Sequence, residues 1–171
     1  EDNNLYDPVL LKEQAIEILQ AIHNRNLDVL SSHVHTEKGL LVSPYFSVMD
    51  DTVRFEKNEL PTLIDSDTTY LWGYGEANTE IQLTPADYFD THLQVERFFE
   101  SDEVFVDTQN QEVDPSNYLK TVFPDSKIVE FYRAGTEQYS GMDWKSLNLV
   151  FEQEEEGAWR LVAIVNNLFT P

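Results

Sequence analysis

Residues 158–169 read AWRLVAIVNNLF, and between Arg160 and Asn166 every side chain is apolar. Branched and aromatic residues in such a run favour a β-strand. In a strand, successive side chains point to opposite faces, so Trp159, Leu161, Ala163 and Val165 share one side and Arg160, Val162, Ile164 and Asn166 the other. Both sides are mostly apolar, which predicts a strand covered on both faces. The preceding run WKSLNLVFEQ has the same character, and EEEG joins the two. Gly157 supplies the backbone freedom that such a turn demands, so the pair reads as a hairpin. KIVEFYRA, upstream, reads as a further strand. The last third of the chain is therefore β.

The opening is helical. Asp7 suits an N-cap and Pro8 the first helical position, where its missing N–H costs nothing. Leu11, Ala15, Ile18, Leu19 and Ile22 then recur at helical spacing. Residues 24–26 break the helix, and Asn26 caps a shorter one carrying Leu27, Leu30 and Val34. After a turn at Gly39, LLVSPYFSV reads as a strand interrupted at Pro44, hence an edge or a bulge. TVRFE reads as a weaker strand, KNELPTLI as a short helical turn and TTYLWGYGE as a strand whose glycines allow a bulge. In LTPADYFDTHLQVERFF, Thr84 caps, Pro85 begins and Asp87 stands in the first turn of a third helix. Its expected buried face is Tyr88, Phe89, His92, Val95 and Phe99. DPSNYLKTVF reads as a fourth helix with Asp114 as its cap.

A length of 171 residues suits one domain that buries about two-thirds of its surface. With ten Phe, eight Tyr and three Trp, the chain can pack a core in spite of a net charge of −21. That charge repels phosphate backbones and anionic lipid, so no nucleic acid partner and no direct membrane insertion are expected. The acids read first as a solvating surface. No cysteine is present, which excludes thiolate metal sites and Cys nucleophiles. The polar stretch EDNNLYDP reads as a tether over residues 1–7 leading into a single domain over 8–171. No run approaches the ~18 apolar residues of a membrane span. An exported domain, secreted or tethered through a removed N-terminal segment, is the expectation.

The order of elements, with AIEILQAIHNRNLDVLSSHVH at the start and SLNLVFEQEEEGAWRLVAIV at the end, resembles the NTF2-like (cystatin-like) superfamily. GLLVSPY, YLWGYG and GMDWKSL are further blocks similar to extracytoplasmic NTF2-like domains of predicted bacterial lipoproteins. The resemblance implies an α+β fold, a cone in which N-terminal helices pack on a curved, mostly antiparallel sheet. It spans nearly the whole chain but specifies fold rather than activity, since such folds include isomerases, dehydratases, hydrolases and non-catalytic binding domains. With no Cys here to carry a lipid, any lipoprotein anchor is expected to have lain upstream of Glu1.

Two sites deserve weighing. His33 and His35 form an H-x-H pair that could ligate a metal from a strand. Their position at a helix end favours capping instead, with His35 the better candidate for a functional role. In GMDWKSL, Asp143 beside Trp144 could be desolvated, its pKa raised toward general acid or base use; otherwise it caps a turn. Tyr70, Trp72 and Tyr74 alternate along one strand face. In a cone, Tyr45, Trp72, Tyr74, Tyr132 and Trp144 are the candidates to line a ligand pocket. Asp65 with Asp67, and Asp107 with Glu112 and Asp114, lack the spacing of a calcium loop. No metal site and no cofactor are expected. The leading expectation is a domain that binds a small ligand or a protein, a second copy of itself among the possible partners. The alternative is a lyase, isomerase or hydrolase using Asp143 or His35.

Overall fold

Asp7 and Pro8 start the first helix as their chemistry requires. In the computed structural model, which describes residues 6–45, 53–108, 110 and 118–168, helix α1 spans Pro8–His23 and the Asp7 carboxylate accepts from the N–H groups of Val9 and Leu10. Leu11, Ala15, Ile18, Leu19 and Ile22 are all buried. Each large aliphatic side chain there contributes about 1.5–3 kcal/mol of transfer free energy. Tyr6 and Asp7, read as the end of a tether, are part of the fold, because Tyr6 packs edge-on against Trp159. Helix α2 (Leu27–Ser32) follows, capped by the Asn26 side chain on the Val29 N–H.

The strands are β1 (Leu40–Ser43), β2 (Val53–Phe55), β3 (Tyr70–Tyr74), β4 (Glu80–Leu83), β5 (Glu103–Val106), β6 (Lys127–Arg133), β7 (Lys145–Gln153) and β8 (Trp159–Leu168). Six of them form one open sheet in the order β2-β1-β8-β7-β6-β5, antiparallel except for β1 beside β8, and β3 pairs with β4 separately. The class is α+β. One face of the large sheet packs on α1, α2 and the 57–98 region; the other carries a smaller cluster of Leu41, Ile128, Val150, Val162, Ala163 and Val165 under helix α4 (Tyr118–Val122) and its Leu119. The strand β8 is thus covered on both sides, as its composition requires. The expected cap Asp114 lies outside the described residues.

Four local readings need correction. β1 is interior rather than an edge: it ends at Ser43, and Pro44, unable to donate to a ladder, falls just beyond it. In β8 the alternation breaks, because Val150 pairs with Ala163 and Phe151 with Leu161, leaving Val162 as the extra residue of a bulge. Leu161 and Ile164 consequently face the large core, while Val162, Ala163 and Val165 face the small one. A second bulge, at Trp72, turns Tyr74 outward opposite the exposed Glu80.

The predicted third helix is broken. After helix α3 (Pro85–Tyr88) comes a wide π-type turn, Phe89–Leu93, then Gln94 in the left-handed region (φ 47°), then a 3-10 turn, Val95–Phe98. The wide turn moves the inward position from His92 to Leu93, and the restart buries Phe98 instead of Phe99.

Candidate functional site

His35 sits where the 36–39 turn meets the β7–β8 hairpin, and it is 4% exposed. Its Nδ1 accepts from the Glu37 and Lys38 N–H groups at 3.2 and 3.1 Å, so the proton belongs on Nε2, which lies 3.2 Å from the Gln153 carbonyl. Both ring nitrogens are therefore engaged within the fold. The same turn is fastened by the Lys38–Glu152 ion pair at 2.8 Å and by the Thr36 N–H on Glu154. Burial alone would raise the Glu154 pKa, but that backbone donor helps pull it down to about 2. The reading of His35 as a helix cap is corrected: its ring closes a turn. His33 is the C-cap residue of α2, and its imidazole lies 3.4 Å from Glu17 on α1. Burial lowers the His33 pKa, with Glu17 opposing.

Asp143 is not desolvated by Trp144. Its carboxylate lies at the surface and accepts from the N–H and the hydroxyl of Thr136 at 2.7 and 2.9 Å. Those bonds, led by the backbone one, lower its pKa, the opposite of the direction general acid chemistry needs. Asp143 clasps the 134–143 loop, where Gly135 passes so close to Gly141 that a Cβ would meet its carbonyl oxygen at 2.0 Å.

The five candidate aromatics do not come together. Trp72 is buried, stacked on Tyr88 at 4.0 Å, and donates its indole N–H to the Leu83 carbonyl at 2.8 Å. Tyr45 is half-buried at the end of β1, on the same side of the large core. Tyr74 faces outward, 43% exposed. Tyr132 is buried on the opposite sheet face, its register partner being Ser146 and its ring tilted against Phe105. Trp144 is half-buried just before β7. The helix-covered side of the sheet is filled by Phe, Leu, Ile and Val side chains. An open groove of about 870 Å³ runs instead between the 36–39 turn and residues 54–59.

Asp107, a candidate calcium ligand, is already occupied. It pairs with Lys120 at 2.5 Å and Lys127 at 3.2 Å. Glu112 and Asp114 lie outside the described residues, and Asp65 with Asp67 stands in an exposed stretch. Among the described residues no three His, Asp or Glu side chains gather as metal ligands, and no helix is long and apolar enough to cross a membrane.

One grouping escaped the sequence reading. Arg133 ends β6 directly opposite Lys145, which begins β7, and Lys145 lies opposite Leu168 at the end of β8. The Arg133 guanidinium donates to the Arg97 carbonyl at 3.2 Å. Burial lowers the Lys145 pKa, and Arg97 and Arg133 lower it further. The sequence shows only that Arg133 and Lys145 flank the loop of residues 134–144; the register that sets them opposite each other is not written in it.

No protein-family model matches the chain, and a search of curated proteins returns no significant match.

Proposed function

We propose that the chain is an NTF2-like domain, acting outside the cytoplasm, that binds a small ligand or a protein partner without catalysing a reaction. The cone reading is supported by the order of elements: two N-terminal helices, then an antiparallel β6-β7-β8 run whose one face they cover. The observation that carries the non-catalytic reading is the commitment of both candidate bases. His35 has no free nitrogen, and Asp143 is a solvent-facing clasp rather than a group aimed into an enclosed cavity. The strongly acidic composition, a net charge of −21, suits the solvating surface of an exported domain.

A thermal-shift screen of a metabolite library tests this. Ligands that bind only the folded state raise the melting temperature by mass action, about 2.7 kcal/mol at a hundredfold excess over Kd. At least one compound is expected to do so and to be recovered unchanged after prolonged incubation. Its conversion to product, lost in Asp143→Asn or His35→Gln, would restore the lyase, isomerase or hydrolase reading.

A further inference from the structure

Three of the eleven Lys and Arg residues of this acidic chain converge at one end of the sheet without a counter-ion. Among the described residues neither Arg97, Arg133 nor Lys145 makes an ion pair within 4.0 Å. The acid that acts on Lys145, Asp143, is spent on Thr136. Like charges directly opposite one another on paired strands are destabilising, so this arrangement works against folding. Alternation along β6, β7 and β8 places Arg133, Lys145 and Leu168 on the helix-covered face, in line with the buried Phe131, Leu147 and Ile164. A local violation of this kind is what functional sites carry, where a bound ligand can offset it.

The nature of that ligand follows from charge and from neighbours. Two guanidinium groups and an ammonium suit an oxyanion, which can accept bidentate bonds from arginine. The long-range field of a protein with net charge −21 opposes a bare anion, so apolar contact has to add to the affinity. Leu168, 36% exposed and directly opposite Lys145, offers such contact. We propose that Arg97, Arg133 and Lys145 bind the acidic head of an amphipathic organic anion, a carboxylate or phosphate monoester on an apolar body. The assignment rests on the ligand-binding function proposed above and names its ligand class.

Isothermal titration of the whole chain with hexanoate, hexyl phosphate and 1-hexanol tests it, on wild type, Arg133→Gln and Lys145→Met. At least one anion is expected to bind, at least tenfold more tightly than the alcohol. Each substitution should weaken that anion at least fivefold without lowering the melting temperature. The ratio of the two anions identifies the head group. Anion binding that survives both substitutions would overturn this site while leaving the ligand-binding function intact. Failure of both anions to bind wild type, or a lower melting temperature in both variants, would overturn the site as well. The ligand-binding function itself would then fall only if the metabolite screen also found nothing.

Discussion

Strand β6 begins with Lys127 and ends with Arg133, and the two cations meet opposite circumstances. At the first end, Lys127 and Lys120 share the Asp107 carboxylate, Lys127 also lies 4.7 Å above the Tyr6 ring, and Tyr6 packs on Trp159. Asp107 is further tied to the Ile128 N–H at 3.3 Å. At the second end, Arg133 faces Lys145 across the ladder and rests on the Arg97 carbonyl, and among the described residues no carboxylate pairs with any of the three within 4.0 Å. The first end is built as a clasp that holds the N-terminal residues to the sheet. The second carries like charges with no ion pair among the described residues, and it is there that the proposed anion would bind. Half-buried lysines are thus paired at one end, whereas at the other a half-buried Lys145 stands beside the exposed Arg97 and Arg133 and is repelled by them.

Substitutions can break or sharpen that contrast. The largest effect is expected from Trp159→Ala, which removes the half-buried indole beneath Tyr6. A fully buried tryptophan costs 3–5 kcal/mol on truncation, so a loss of about 2–3 kcal/mol by denaturant titration is expected here. A value under ~1 kcal/mol would mean that the clasp does not hold the helices to the hairpin. Next, Asp107→Asn keeps the side-chain shape and the left-handed backbone (φ 51°) but strands two lysines. A loss of about 2 kcal/mol is expected, in the range for partly buried charges left without a partner. At the other end the sign reverses. Lys145→Met should raise stability by about 0.5 kcal/mol, since it removes a like-charge pair across the ladder. If both substitutions destabilise, the two ends do not differ in the way described.

The smallest effect concerns pH. Burial holds the folded-state pKa of His33 below its ordinary 6.5. The unfolded chain therefore binds the proton more readily, and stability falls as pH drops through about 6.5 toward the lowered folded value. His92, also lowered by burial, adds in the same direction. The difference in unfolding free energy between wild type and His33→Gln should hence be flat above pH 7 and shift in favour of the variant on acidification. A difference independent of pH between 5 and 7.5 would show that the Glu17 pairing, not burial, governs His33.

The terminal strands and the first two helices were legible because their signals are local. A cap such as Asp7 or Asn26 acts within three residues, and the apolar stripe of α1 lies within four turns. The glycine of the 154–157 turn, φ 99° at Gly157, acts within its own hairpin. The third helix was misread because a π-type turn and a left-handed Gln94 leave no compositional mark; they arise where Tyr88 must stack on Trp72 while Leu93 and Val95 still reach the core. The proposed aromatic pocket failed for a related reason. Whether Tyr74 faces inward depends on a bulge at Trp72, and the pleat transmits that one-residue slip to every side chain beyond it.

What the sequence determined by itself is the class and its punctuation: helices at the start, a two-sided hairpin at the end, caps and turns at the positions their chemistry requires. Those features follow from interactions over a few residues, which any neighbouring structure must accommodate. Only the tertiary structure decided which face of β8 meets which core, that His35 spends both nitrogens closing a turn, and that Arg97, Arg133 and Lys145 stand together. Arg133 and Lys145, 12 positions apart, meet through strand register, which is set by the packing of the whole sheet, and Arg97, 36 positions before Arg133, is brought there by the packing of the 95–98 turn.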